Sequence, residues 1–124
     1  MIKDIKDLLE KYGFDSADMD DKKLDSRMMF LKEEYDELID AYDTRNSEEF
    51  VDALIDMCVI AIGTLELCGV DTQRAWSEVH RANMSKERGM KPGREYTGGW
   101  DLKKPDGWVS PSHEGNTGNL PDLL

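Results

Sequence analysis

The clearest pattern in the chain is a stripe of apolar residues that recur at alternating spacings of four and three. Its members are Leu24, Met28, Leu31, Tyr35, Leu38 and Tyr42. Residues at these spacings lie on one face of a helix, so the stripe predicts an amphipathic helix of about five turns with a seam of the coiled-coil type. It is the second predicted helix, because residues 2–12 show helical periodicity as well and are followed by Gly13, which suits a helix C-terminus.

A third helix is predicted from about Glu48 to Leu67, with Asn46 or Ser47 as its N-cap. Its apolar stripe consists of Phe50, Leu54, Cys58, Ala61 and Leu65. From residue 57 to 65 the segment is apolar or small on all sides, which indicates a central, buried helix.

A fourth helix is predicted with Asp71 as its cap; its apolar face carries Trp76, and both Asn83 and Lys86 are expected to lie on this helix. All four Pro and seven of the ten Gly lie in residues 88–124, so helix is not expected there. The sequence therefore predicts an all-α fold, an antiparallel bundle of about four helices with an irregular Gly/Pro-rich C-terminal tail. We expect a helical domain in residues 1–87 and a tail, residues 88–124, packed on that domain or on a neighbouring subunit.

Charge is distributed unevenly along this chain of 124 residues, whose formal net charge is −11. Residues 1–87 hold 22 acidic and 11 basic side chains, whereas residues 88–124 hold five of each. The acidic excess argues against direct binding of a nucleic-acid backbone, which needs clustered Lys and Arg. It fits contact with an anionic small molecule through a bridging metal ion.

The remaining composition predicts a protein of the cytoplasm. No apolar run is long enough to span a bilayer and no secretory signal is recognisable, so we expect no membrane association. Cys58 and Cys68 stand ten positions apart on one predicted helix, about 15 Å along its axis, which is too far for a disulfide. Both are predicted to be thiols of the core.

Ten carboxylates fall between Glu33 and Asp56, and some of them recur at helical spacing. One group, Glu33, Glu34 and Glu37, lies on the second helix, and the other, Glu49, Asp52 and Asp56, lies on the third. Residues three or four apart are neighbours on a helix surface, where like charges repel. Two interpretations stay open at this point: an ordinary solvated face, or oxygen ligands for a hard divalent cation such as Mg²⁺.

Helical geometry separates these side chains by direction. Relative to Leu31, Glu34 lies about 60° and Glu37 about 120° to the same side, while Glu33 points about 160° away. On the third helix, the face that carries Asp56 continues into residues 59–63, which are not surface residues by type. A buried carboxylate is costly unless it is paired or bound to metal, so Asp56 favours the metal interpretation.

The motifs then resemble those of a known superfamily. Residues 32–38 read Lys-Glu-Glu-Tyr-Asp-Glu-Leu, and residues 49–57 read Glu-Phe-Val-Asp-Ala-Leu-Ile-Asp-Met. They are similar to the two acidic motifs of the all-α nucleoside triphosphate pyrophosphohydrolases, which include MazG-like proteins and phosphoribosyl-ATP pyrophosphohydrolase. Residues 78–86 and 104–111 look like the short phage and bacterial members of this group.

The resemblance implies a Mg²⁺-dependent hydrolase, with Mn²⁺ as a substitute, that cleaves a nucleoside triphosphate to the monophosphate and pyrophosphate. The metal ligands that it implies are Glu34, Glu37, Asp52 and Asp56, and Glu33 is the candidate catalytic residue that orients water. Ala53 stands where the superfamily has a glutamate. Either Asp52 replaces that glutamate, or Glu49 and Asp52 together supply the motif.

Three further residues are implied to bind the nucleotide substrate. Asn83 and Lys86 stand three apart, so that they can face one site, where Lys suits a phosphate and Asn a sugar or base edge. Trp108 either stacks on a base or anchors the tail. The resemblance also implies a homodimer or homotetramer, with an apolar helix stripe at the interface. A competing hypothesis is a non-enzymatic acidic adaptor that binds a partner helix along that stripe.

Overall fold

A computed structural model describes all residues from 1 to 124, and it confirms the all-α prediction. The helices are α1 (Ile2–Lys11), α2 (Asp21–Thr44), α3 (Ser47–Leu67), α4 (Thr72–Met84) and the short α5 (Leu120–Leu123). Single turns of 3-10 helix lie at Ser16–Asp18 and Glu95–Thr97. An antiparallel pair of short strands, β1 (Glu87–Gly89) and β2 (Asp101–Lys103), completes the structure, with Arg88 opposite Leu102.

The chain divides into two compact units. The first comprises residues 1–72 and 115–124, and the second comprises residues 73–114. In the first unit, α3 packs against both α2 and α1. The division predicted from the sequence, residues 1–87 and 88–124, is a different partition and stays a prediction.

Local capping groups set the limits of α2 and α3. The side chain of Asp20 accepts a hydrogen bond from the backbone N–H of Lys23 and begins α2. The side chain of Asn46 does the same for Glu49 at the start of α3, which decides between the two predicted N-caps. Between them, Arg45 ends α2 in the left-handed conformation at φ 59°, a turn that reverses the chain direction within two residues.

The face of α2 that points into the first unit is shifted from the predicted apolar stripe. Its least exposed positions, here called the inward stripe, are Leu24, Arg27, Leu31, Glu34, Leu38 and Ala41. Three members of the predicted stripe are instead exposed, namely Met28, Tyr35 and Tyr42. Two charged residues, Arg27 and Glu34, therefore occupy positions that face the interior of this unit.

Helix α3 is buried on one side only, so the prediction of a central, buried helix is wrong for the single chain. Ala53, Ile62 and Gly63 are buried. Leu54, Cys58 and Ala61, which belong to the predicted stripe, are exposed. Consequently Cys68 is a buried thiol as predicted, but Cys58 is not.

The last residues return to the C-terminal end of α3. The backbone N–H of Asn119 donates to the carbonyl oxygen of Cys68 at 2.8 Å. The buried side chain of Asn116 forms two hydrogen bonds with the backbone of Asp71, one at 2.8 Å and one at 2.9 Å. The expectation that residues 88–124 contain no helix is wrong for α5, which has a proline in its first turn, where no intrahelical N–H is required.

Two of the three tryptophans are exposed. Trp76, assigned to an apolar face, is 52% exposed, and Trp100 is 85% exposed. Trp108 is half-buried, and its indole Nε1 donates to the carbonyl oxygen of Ala82. None of the helices is both long and apolar enough to cross a membrane.

Candidate functional site

The acidic residues of α2 differ in exposure in the order that helical geometry predicts. Glu34 is half-buried on the inward stripe, whereas Glu37 and Glu33 are exposed. One carboxylate oxygen of Glu34, Oε2, is fully buried and has no hydrogen-bond partner. A buried acceptor without a donor costs free energy. In the first unit Oδ1 of Asn119 is in the same state, but Oε2 of Glu34 belongs to an ionisable carboxyl group.

Helix α3 brings its own carboxylates towards Glu34. Asp56 is half-buried, as expected where its face runs into the buried part of the helix, and Asp52 is exposed. Burial raises the pKa of Glu34 above its ordinary value, and the negative charges of Glu37, Asp56, Asp52 and Glu33 raise this pKa further. Of the other five acidic residues singled out from the sequence, four thus raise the pKa of Glu34, and Glu49 does not.

The donor set fits a hard divalent cation. Carboxylate oxygens are the ligands that Mg²⁺ prefers, and an oxygen such as Oε2 of Glu34, buried without a donor, gains a partner when a cation binds. The structure nevertheless contains no group of three or more Asp, Glu, His or Cys side chains close enough to hold a metal ion as they stand. Cation binding stays a prediction.

The second unit brings together the three predicted substrate-binding residues. Lys86 donates from Nζ to Oδ1 of Asn83 at 3.1 Å, and the same nitrogen lies 5.3 Å from the ring centre of Trp108. The indole Nε1 of Trp108 donates to the carbonyl oxygen of Ala82 at 2.8 Å, which fixes the ring against the end of α4. Lys86 lies two residues beyond this helix rather than on it, and it is half-buried.

Sequence reasoning missed two cations. Lys104 places its Nζ 4.8 Å from the ring centre of Trp108. The ring of Trp108 is therefore in contact with two lysines, Lys86 and Lys104. Arg27 lies on the inward stripe of α2 and donates from Nε to Oγ1 of Thr64. The spacing of seven residues between Arg27 and Glu34, which puts both on one helical face, was the available signal.

The surrounding geometry is that of an all-α protein with carboxylates converging from two adjacent helices. A family model described as phosphoribosyl-ATP pyrophosphohydrolase matches residues 5–83, which is more than half of the chain. The chain therefore belongs to the phosphoribosyl-ATP pyrophosphohydrolase family, within the MazG-like nucleotide pyrophosphohydrolase superfamily. No curated protein matches the chain.

This membership indicates a pyrophosphohydrolase that acts on a nucleotide-type substrate. The matched residues include both acidic motifs and end at Asn83. Lys86, Lys104 and Trp108 lie beyond the match, so any role of theirs rests on their own geometry.

Proposed function

We propose that the protein hydrolyses a nucleoside triphosphate to the monophosphate and pyrophosphate, with Mg²⁺, or Mn²⁺ in its place, held by Glu34, Glu37, Asp52 and Asp56. The observation that carries this proposal is the carboxylate of Glu34, which is half-buried among four other acidic residues and has one oxygen without a partner. No lysine or arginine of the protein pairs with this carboxylate, and a bound cation would give Oε2 the partner that it lacks.

The choice between the alternative third ligands favours Asp52. Its charge raises the pKa of Glu34, whereas Glu49 is not among the residues that do so. Asp52 and Asp56 are four apart on α3 and share a face, so that they can bind the same ion in place of the glutamate that Ala53 replaces.

The chain's own residues would orient the attacking water and contact the substrate. A bound divalent cation would act as a Lewis acid on the phosphoanhydride and lower the pKa of a water molecule. Glu33, exposed beside the ligands, would orient that water and accept its proton. Lys86 and Asn83 would contact the phosphates or the sugar, and the ring of Trp108, flanked by two lysines, would stack on the substrate or hold the segment in place.

Two substitutions test the ligand assignment. Glu37→Gln and Asp56→Asn preserve shape but remove a negative oxygen ligand, and each is expected to lower kcat/KM for pyrophosphate release at least about 100-fold. A panel of nucleoside triphosphates with Mg²⁺, assayed for pyrophosphate, provides the measurement. It also identifies the base and sugar.

The matched control is Asp43→Asn, which removes an exposed carboxylate of α2 outside the cluster. It should leave kcat/KM within about 3-fold of the parent protein, because substitutions at exposed positions usually change free energies by no more than about 0.5 kcal/mol. Circular dichroism should show that all three variants remain helical. Full turnover in both Glu37→Gln and Asp56→Asn would rule out the assignment. Absence of pyrophosphate release from every nucleotide tested would rule out the proposed reaction.

We further propose that the protein is a homodimer or homotetramer in the cytoplasm. Nine large apolar side chains are exposed on α2 and α3 in the single chain: Met28, Met29, Phe30, Tyr35, Ile39, Tyr42, Val51, Leu54 and Ile55. Exposed apolar surface on this scale is typical of a protein interface. We propose that a second copy of the chain covers it, whereas the competing adaptor hypothesis assigns it to the helix of another protein.

A further inference from the structure

Trp108 is held in a fixed position at the end of α4, in the second unit. Its indole Nε1 donates to the carbonyl oxygen of Ala82 at 2.8 Å, and its backbone N–H donates to the carbonyl oxygen of Pro105 at 3.0 Å. The second bond closes a β-turn that brings the indole back beside Lys104. The ring is therefore fixed both by the helix and by the turn that precedes it.

Two lysines place their ammonium groups on this ring. Nζ of Lys104 lies 4.8 Å from the ring centre of Trp108, and Nζ of Lys86 lies 5.3 Å from it. Lys86 also forms two hydrogen bonds with Asn83, because its Nζ donates to Oδ1 and its backbone N–H donates to the carbonyl oxygen, each at 3.1 Å. Two positive charges are thus held within 5.3 Å of one ring centre.

No carboxylate of the protein compensates these two charges. In the second unit, Glu78 and Asp101 form their ion pairs with other cations. Asp106, in the turn between Lys104 and Trp108, is exposed and forms an ion pair with neither lysine. Like charges held this close repel each other, so an anion that contacts both Lys86 and Lys104 is favoured.

The hydrogen-bond donors suit a chain of phosphates. Lysine is a common phosphate ligand, and each ammonium group has three N–H donors, of which Lys86 uses one on Asn83. The amide NH2 group of Asn83 forms no hydrogen bond within the protein and adds two further donors. A single carboxylate would compensate one positive charge, whereas pyrophosphate or triphosphate has enough charge and enough oxygen atoms for Lys86 and Lys104 together.

The two lysines also define the role of the ring. A base binds to an indole by stacking flat on its face, but this ring is already in contact with two ammonium groups. Of the two roles that Trp108 can have, holding its surroundings in place therefore fits better than stacking on a base. What it holds in place is the pair of positive charges.

We propose that Lys86, Lys104 and Asn83 form a binding site for a polyphosphate chain, and that Lys104, which lies beyond the residues matched by the family model, supplies its second positive charge. The ligand is the phosphate chain of a nucleotide or free pyrophosphate, which have the same chemistry. A part in turnover rests on the proposed hydrolysis of nucleotides. Polyphosphate binding itself does not, because inorganic polyphosphates have neither base nor sugar.

Titration calorimetry with the full chain, without divalent cations, tests binding. The probes are orthophosphate, pyrophosphate, inorganic triphosphate and adenosine. Pyrophosphate and triphosphate should bind at least about 5-fold more tightly than orthophosphate, because only a chain contacts both lysines. Equal affinity for all three phosphates, or no binding of pyrophosphate, would overturn the proposal. Adenosine binding that Trp108→Leu abolishes would show that the ring stacks on a base and would contradict the role given to it here.

Three substitutions at exposed lysines locate the site. Lys104→Gln should raise the Kd of pyrophosphate at least about 5-fold, whereas Lys104→Arg keeps the charge and the contact with the ring and should stay within about 2-fold of the parent protein. Lys103→Gln is the matched control, because Lys103 is the neighbouring exposed lysine and makes no contact with the ring of Trp108. Equal losses in Lys104→Gln and Lys103→Gln would mean that binding depends only on the total charge, which rules out the site.

Kinetics separate this inference from the proposed function. Lys104→Gln should raise both KM and the inhibition constant of the product pyrophosphate at least about 5-fold and leave kcat within about 3-fold, because Lys104 would contact the phosphates equally in the ground state and the transition state. If pyrophosphate binds through Lys104 but no nucleotide is hydrolysed, the hydrolysis proposal fails and the polyphosphate site stands. If hydrolysis proceeds and Lys104→Gln changes neither KM nor the affinity for pyrophosphate, the hydrolysis proposal stands and the polyphosphate site is wrong.

Discussion

Glu34 and Arg27 are the two charged residues of the inward stripe of α2. They differ in whether the protein supplies hydrogen-bond partners for their buried polar atoms. Arg27 satisfies part of its guanidinium with Thr64 and the carbonyl oxygen of Ile60. Glu34 has no such donor for Oε2 and is surrounded by other carboxylates. A residue whose burial the protein itself does not compensate is a strong indicator of a ligand.

The raised pKa of Glu34 predicts a dependence of stability on pH. Its folded-state pKa exceeds the ordinary value of 4.5, so the folded state holds the proton more tightly than the unfolded state. Stability therefore decreases as the pH rises from 4.5 through the folded pKa. Glu34→Gln removes this penalty and, without divalent cations, should raise Tm at neutral pH by about 1–4 °C.

The same comparison at acidic pH provides the internal control. Below pH 4.5 the carboxyl group is protonated in both states, so the difference in Tm between Glu34→Gln and the parent protein should shrink towards zero. Asp43→Asn should change Tm little at either pH, because Asp43 is exposed. A lower Tm for Glu34→Gln at neutral pH without metal would show that the protein does compensate this charge.

At the scale of elements, the C-terminal residues hold the end of α3 through backbone contacts. Gly118 lies at φ 54° directly against this end, and an added Cβ would overlap the carbonyl oxygen of Cys68 and lie 2.8 Å from the carbonyl carbon of Gly69. Gly115 also has a positive φ, 71°, but open space around its Cα. Comparing substitutions at these two glycines therefore distinguishes the cost of backbone strain from the cost of a steric clash.

Gly118→Ala is expected to lower the free energy of unfolding by about 2–4 kcal/mol, because strain in the left-handed region adds to a clash with backbone that cannot rotate away. Gly115→Ala should lower the free energy of unfolding by only about 1 kcal/mol, because backbone strain is the only penalty at this position. Urea denaturation with a common m value measures both. Equal losses in the two variants would mean that the C-terminal residues do not pack on α3 in solution.

At the scale of the whole molecule, the acidic excess belongs to one unit. Residues 73–114 carry eight basic and six acidic side chains, whereas the rest of the chain carries eight basic and 21 acidic ones. The candidate cation ligands lie in the acidic unit, and the lysines around Trp108 lie in the other. Within each unit, therefore, the candidate residues carry the charge that is common in that unit.

The exposed apolar side chains of α2 and α3 predict self-association. Light scattering coupled to size-exclusion chromatography should give the mass of two or four chains. Leu54→Lys places a charge on the exposed face of α3 and should shift the protein towards the monomer. Leu102→Lys is the matched control, since Leu102 in β2 is 43% exposed and Leu54 is 42% exposed. A monomeric parent protein at micromolar concentration would contradict this prediction.

The sequence by itself determined the four main helices, the start of α3 at Asn46 or Ser47, and the relative directions of Glu33, Glu34 and Glu37. These features depend on periodicity, capping groups and the fixed rotation per residue of a helix, all of which are local. The likeness of the two acidic motifs also predicted that the chain belongs to the nucleotide pyrophosphohydrolase superfamily, and the match to the family model confirms this membership.

Only the tertiary structure decided which side of each helix is covered. An apolar stripe marks a face that avoids water, but it does not say whether the chain's own helices or another copy covers it, and in the single chain Met28, Tyr35 and Leu54 are exposed. It also decided that Arg27 lines a cavity with Leu67 and that Trp108 packs on Ala82, because contacts between residues 26 to 40 positions apart depend on packing. How deeply a side chain is buried depends on the residues that surround it in space, and the tertiary fold determines which residues these are.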